Sequence, residues 1–217
     1  MIFHNYLINI WLRDTLCFIF FQTVTRLLIE QNRKPFSLIE QKTQYKLQKT
    51  GYVNLLITVP ISLGVKTILL SSNTRPPIFT QEYQVIICSI FIIETLHYIL
   101  HYACHIKGWI GYELHKYHHR KDCSLPWSAL SNHPIDLLVT VFAPPILVLY
   151  FIRRPVETFE PMLLIFIPVI GTCVHSKCWV WFLDIHTIHH SNSTFNFNGY
   201  IPINDILFNT FKRPIKY

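Results

Sequence analysis

The 217-residue sequence predicts an all-α integral membrane protein, with about four transmembrane helices in two hairpins beneath a cytosolic, histidine-rich helical cap. Three observations carry that expectation. Hydrophobic residues make up 51% of the chain and charged residues only 14%, whereas a soluble domain has about a quarter of its residues charged. Apolar stretches long enough to cross a hydrocarbon core of ~30 Å recur along the chain and pair across short polar turns. Eleven of the twelve histidines fall between positions 97 and 190, most of them at the ends of those stretches. The length suits a single compact unit, which divides by composition into an N-terminal amphipathic and transmembrane region over 1–80 and a histidine-bearing domain over 81–217.

The elements follow in order. Residues 3–29 are apolar but carry Arg13, Asp14 and Arg26, so a helix at the interface fits them better than a full crossing. Residues 30–50 are polar and hold Arg33, Lys34, Lys42, Lys46 and Lys49. Residues 51–70, "GYVNLLITVPISLGVKTILL", have the length of a span, with Lys66 near enough to one end to snorkel. Pro76 and Pro77 end that segment and mark a hairpin turn. The return arm is 83–104. Runs at 135–152 and 159–175, joined by "RRPVET", make the second hairpin.

Charge orients the arrangement. The 30–50 segment carries five Lys/Arg, the 105–134 segment carries four, and the 71–82 turn carries only Arg75. The two rich segments are expected on the cytosolic side, and the histidine clusters with them. The net charge of +7 comes without a basic stripe interleaved with aromatics, which disfavours nucleic acid as a partner. The six cysteines form no C-x-x-C pair and read as reduced structural thiols. No basic leader and no small-residue cleavage site accompany the first apolar stretch, so it is not read as a removed signal peptide.

The histidines carry the chemistry. "HKYHH" places His115, His118 and His119 within five positions, and "HTIHH" repeats that spacing with His186, His189 and His190. On a helix, positions i, i+3 and i+4 share a face, so each cluster can turn three imidazoles to one side. His97, His101 and His105 add further i, i+4 pairs. Imidazole is a neutral, borderline ligand suited to Fe, Zn, Cu and Ni. Eight to ten such ligands exceed what one mononuclear site uses, and two adjacent ions would employ them. Only one Glu-x-x-His pair occurs, Glu94 to His97, so a carboxylate-rich diiron scheme is incomplete. Glu94, Glu113, Asp122, Asp136, Asp184 and Asp205 lie near the clusters and are instead expected to orient histidines through the second ring N–H, with Glu94 and Asp184 the best placed. His4 stands alone and is read as an ordinary side chain.

"ETLHYILHYACHIKGWIGYELHKYHHR", "NHPID" and "HTIHHSNSTFNFNGYIPINDILFNTF" together resemble the fatty acid hydroxylase/sterol desaturase superfamily, and within it the C4-methylsterol monooxygenase group. The resemblance covers roughly residues 85–211. It implies metal ligation by His101, His105, His115, His118, His119, His186, His189 and His190, with His175 as a ninth ligand and His133, in its His-Pro pair, as a tenth. His97 is implied as a neighbour only. Asn196 and Asp205 fall at the family's spacing after the last cluster and are expected to support the ligands. Tyr102 departs from the family's arginine, Lys177 from its glycine, and Asn204 and Asn209 from a tryptophan and a second glycine.

The resemblance further implies two iron ions, O2, and electrons from NAD(P)H delivered through cytochrome b5 or a similar donor. It implies a multi-pass protein of the endoplasmic reticulum membrane whose metal site faces the cytosol. Catalysis would reside in the metal centre, since side chains alone cannot oxidise an unactivated C–H bond. The substrate would be a membrane lipid or sterol, with C4-methyl oxidation in sterol biosynthesis as the leading reading. Other sterol desaturation, fatty-acyl hydroxylation and non-catalytic lipid binding are the alternatives, and a bis-histidine haem leaves most of the histidines unexplained.

Overall fold

The computed structural model describes residues 2–31, 37–71, 82–119, 125–152, 169, 171–175 and 185–213. Among these the chain is all helical, with no strand. The elements are α1 (Ile2–Gln31), α2 (Leu38–Ser71), α3 (Glu82–Cys104), α4 (Ile110–His119), a 3-10 turn (Pro126–Leu130), α5 (Pro134–Leu137), a π-helical turn (Leu138–Phe142), α6 (Ala143–Ile152), α7 (Ile185–Ser191) and α8 (Ile203–Leu207). α5, the π turn and α6 run on as one helix.

Among the described residues, two helical stretches are long and apolar enough to cross a membrane, Gln84–Cys104 and Pro134–Ile152. They correspond to the expected runs at 83–104 and 135–152. They pack through Val85 against Val148, Leu149 and Ile152, with Ile92, Ile93 and Leu96 around them. The 153–168 part of the second expected hairpin lies outside the described residues.

α2 begins earlier than the apolar pattern suggests. Ser37 and Glu40 form a reciprocal capping box: the Glu40 N–H donates to Ser37 Oγ at 3.3 Å and the Ser37 N–H to Glu40 Oε2 at 2.8 Å. That cap starts the helix at Leu38, so much of the polar 30–50 segment is helix rather than a connecting loop. Residues 51–70 do lie in α2, but Asn54, Thr58 and Ser62 are buried along it and point inward. Asn54 Nδ2 donates to the carbonyls of Leu130 and Asn132 at 2.7 and 2.6 Å, tying α2 to the chain that leads into α5.

α1, α2 and that chain share a core of Phe18, Leu47, Leu55, Val59, Leu125, Trp127, Leu130 and Leu137. Gly51 permits the closest approach: a Cβ there would stand 3.2 Å from both Leu130 Cβ and the Trp127 ring. Gly108, at φ +88°, makes the turn from α3 into α4 in a conformation that a side chain would strain. The described cysteines Cys17, Cys88, Cys104 and Cys173 are free thiols.

Candidate metal centre

The ends of α3, α4 and α7 converge with the 171–175 segment and bring nine histidines into two adjacent groups. His101, His105, His115, His119 and His189 form one, and His118, His175, His186 and His190 the other, with the ligand atoms of each group within 4.8 Å of one another. The groups abut, the His119 and His190 rings stacking at 4.6 Å between centroids and the His186 and His189 rings at 5.3 Å.

The repeated His-x-x-His-His spacing acquires a structural meaning here. In α4 the i, i+4 pair, His115 and His119, enters the five-histidine group, while His118 at i+3 enters the four-histidine group. In α7 the assignment is exchanged: His186 and His190 enter the four-histidine group and His189 the five-histidine group. Positions three and four apart lie on one face but diverge by a fraction of a turn, so one helix serves two neighbouring sites. His101 and His105, from the end of α3 and the turn after it, complete the first group. His175 completes the second.

The hydrogen bonds of the rings decide which nitrogens are free. His101 Nδ1 bonds the Phe197 carbonyl at 2.7 Å, His189 Nδ1 the Phe195 carbonyl at 2.7 Å and His175 Nδ1 the Gly171 carbonyl at 2.7 Å. His115 Nδ1 faces both carboxylate oxygens of Asp136 at 3.1 Å. A carbonyl or carboxylate only accepts, so in each ring Nδ1 carries the proton and Nε2 presents a lone pair. Those Nε2 atoms point at other histidine nitrogens: His119 to His115 at 3.1 Å, His189 to His105 at 3.1 Å and to His119 at 3.2 Å, His105 to His101 at 3.4 Å, and His175 to His118 at 3.1 Å. Converging lone pairs repel one another unless a cation lies among them. In the second group, His118 Nδ1, His186 Nδ1 and both nitrogens of His190 are buried without a hydrogen-bond partner. A bound transition-metal ion would satisfy one nitrogen of each such ring, so these residues fit a two-ion centre.

Electrostatics agree. Burial pushes His105 down to about 3 and His119 down to about 2, and neighbouring histidines add to the shift. Burial likewise holds His118, His186, His189 and His190 well below the usual imidazole range. All are therefore neutral at physiological pH, the form that ligates metal.

Not every sequence-predicted residue joins a group. His133 stands apart from both: it precedes α5, and its Nδ1 accepts from the Ile135 N–H at 3.3 Å as an N-cap. A nitrogen committed to capping is turned from the cluster, and its Pro134 is the helix's first residue. Glu94 touches no histidine nitrogen through its carboxylate. Its Oε2 accepts from Asn198 Nδ2 at 2.9 Å and the Tyr200 N–H at 3.3 Å, anchoring the loop after α7 to α3. Asp184 lies outside the described residues.

Asn196 and Asp205 act on that same loop. Asn196 sits at φ +59°, a conformation asparagine tolerates. Its side chain donates to the Ile185 and Lys212 carbonyls at 3.1 and 3.0 Å. Asp205 accepts from the Phe197 N–H, the Asn198 N–H and the Thr210 hydroxyl at 2.8, 2.9 and 2.7 Å. Both thereby hold the Phe195 and Phe197 carbonyls that orient His189 and His101.

Sequence reasoning places Asp136 among the acids near the clusters but does not single it out as the partner of His115. The signal was close by: Asp136 follows the His-Pro pair, on α5, and the ligand role had been given to His133. The carbonyls of Phe195, Phe197 and Gly171 leave no trace in a sequence, since every residue has one.

The site is thus a paired, histidine-only cluster, fit to hold metal, at the ends of apolar helices. The fatty acid hydroxylase family model matches residues 86–210, which include all nine histidines and more than half of the chain, and the protein belongs to that family. A curated relative from Arabidopsis thaliana, provisionally named Delta(7)-sterol-C5(6)-desaturase 2, is 25% identical over 133 residues, covering 57% of this chain and 47% of its own. The chain therefore spans about half the length of the curated relative it matches. No solved structure matches.

Proposed function

We propose that this protein is a membrane-bound, non-haem diiron enzyme that oxidises a sterol or related lipid, most simply a C4-methyl group of a sterol. The observation that carries the reading is the convergence of nine histidines, with no carboxylate among them, into two adjacent groups. His101, His105, His115, His119 and His189 would hold one ion, and His118, His175, His186 and His190 the other. Bound iron supplies O2-dependent oxidation of a C–H bond, chemistry that side chains lack.

The chain's own residues do the rest. Asp136 and the carbonyls of Phe195, Phe197 and Gly171 hold four rings in the tautomer that presents Nε2. The buried setting keeps the imidazoles neutral and excludes bulk water. The site's place at the ends of the two apolar helices suits a substrate entering from the bilayer. We further propose four crossings in two hairpins, residence in the endoplasmic reticulum membrane with the centre facing the cytosol, and electrons from NAD(P)H through a cytochrome b5-type donor. The Arabidopsis relative's name favours a second reading, sterol desaturation.

Metal content and the visible spectrum of the purified protein, followed by product analysis with methylsterols and with desaturase substrates, test the proposal. Two irons per chain without a Soret band are expected, and turnover that His118→Ala abolishes while the protein stays in the membrane. Metal-free protein after anaerobic iron addition, or wild-type turnover by His118→Ala, refutes it.

A further inference from the structure

His97 lies one helical turn before His101 on α3 and belongs to neither metal group. Its Nδ1 is 2.9 Å from the Thr140 carbonyl, on the π turn between α5 and α6. That carbonyl is available for a reason visible in the chain. Its α-helical donor would be residue 144 and its π-helical donor residue 145, and both are proline. Proline has no N–H to give. The nearer Ala143 N–H bonds the Leu138 carbonyl instead. The Thr140 carbonyl is therefore satisfied from outside its own helix, by His97 Nδ1–H. A buried carbonyl left unmet is costly, so this contact holds α3 at a fixed separation from the helix that α5 begins.

That separation bears on one group of histidines. α3 ends in His101, and His105 follows in the turn after it. On the facing helix the Thr140 hydroxyl donates to the Asp136 carbonyl at 2.8 Å, and the Asp136 carboxylate holds His115 Nδ1 at 3.1 Å. The His97 contact thus joins two halves of the five-histidine group: the rings that α3 brings, and the acid that orients His115. The His97 ring also meets the His101 ring edge-on, 5.3 Å between centroids. Gly199 lets the loop after α7 close on the same ring, since a Cβ there would stand 3.4 Å from it. The four-histidine group draws His118 from α4, His175 from the 171–175 segment, and His186 and His190 from α7, so none of its rings rides on α3.

We propose that His97 is a positioning residue for the five-histidine site: its Nδ1–H, bonded to the carbonyl that Pro144 and Pro145 leave open, sets Asp136 against His115 and so tightens the ion held by that group alone. The inference rests on the metal-binding reading of the nine histidines and adds to it a residue outside the ligand set.

Two substitutions of nearly equal shape isolate the donor. His97→Asn keeps an N–H at the Nδ1 position, and His97→Leu has none there. The test is chelator competition on the full chain in detergent, loaded anaerobically with ferrous iron. His97→Leu is expected to release one iron at about a fifth of the wild-type chelator midpoint, within what one neutral hydrogen bond gives, while the other iron is unmoved. His97→Asn is expected to stay within about twofold of wild type on the same measure. Combined with Asp136→Asn, His97→Leu is expected to add little, because both act through the same acid. His97→Gln, whose amide lies one bond too far out for the Thr140 carbonyl, replaces His97→Leu if that variant does not fold. Wild-type retention of both irons by His97→Leu, loosening of both irons together, loosening by His97→Asn equal to that by His97→Leu, or full multiplication of the His97 and Asp136 effects overturns the proposal and leaves the metal reading intact. Wild-type protein that holds no iron overturns the metal reading, and this inference with it.

Discussion

Replacing Asp136 by asparagine isolates one hydrogen bond of the five-histidine group. Asp136 is only 3% exposed, and both its oxygens lie 3.1 Å from His115 Nδ1. Asparagine keeps the size and one carbonyl acceptor but removes the charge. A hydrogen bond to a charged group is worth ~1.5–3 kcal/mol and a neutral one ~0.5–1.5 kcal/mol, so the exchange loses about 1–1.5 kcal/mol. The loss falls on the metal-bound state, where the carboxylate also faces the ion's positive charge through the ring. About tenfold weaker binding at one of two ions follows. Chelator competition on the loaded protein reads it directly: Asp136→Asn is expected to release one metal equivalent at about a tenth of the wild-type midpoint while the second is unmoved. Asp136→Ala, which leaves His115 Nδ1 with no partner, is expected to lose more. Wild-type retention of both ions by Asp136→Asn would refute the assignment of Asp136 as the group that orients His115.

Three further outcomes follow from the geometry. His133→Ala is expected to leave metal content unchanged and to lower stability by about 1 kcal/mol, the worth of an N-cap, as chemical denaturation would show. Asp205→Ala removes the acceptor of three hydrogen bonds and is expected to cost at least ~3 kcal/mol, and to loosen the ions by freeing the Phe195 and Phe197 carbonyls; wild-type stability and metal retention would contradict that. The apo protein is expected to lose stability on acidification. Burial lowers the histidine pKa values in the folded state, so the unfolded chain binds more protons; stability is full above the unfolded value near 6.5 and falls as pH drops from there toward about 3 for His105 and about 2 for His119. Each such histidine contributes about 1.4 kcal/mol per pH unit within its window, and a flat unfolding midpoint between pH 7.5 and 5 would contradict the buried, neutral state.

The sequence by itself determined much of this protein. Composition and apolar run length give the helical class and about four expected spans, of which two are helices long enough to cross a membrane among the described residues, because burying backbone polar groups in hydrocarbon demands helix. The spacing of His101 with His105, and of the two His-x-x-His-His clusters, marks eight of the nine histidines that the fold gathers, because i, i+3 and i+4 neighbours share a face in any helix; the ninth, His175, carries no such spacing. The capping box at Ser37 and Glu40 was equally legible, but apolar patterning alone passes over it.

What only the tertiary structure decided concerns how separate elements meet. His115 and His118 carry the same local signal, yet one joins the five-histidine group and the other the four-histidine group, according to where α3 and α7 approach α4. His133 and Asp136 lie three residues apart, and the direction α5 takes makes the first a cap and the second the partner of His115. Main-chain carbonyls became the orienters of His101 and His189 because the loop after α7 folds back over α3, held by Glu94, Asp205 and Asn196. Local spacing is a property of one helix and can be read from one stretch of chain. Assignment to a site depends on distances between elements far apart in sequence, and only the packed structure sets those.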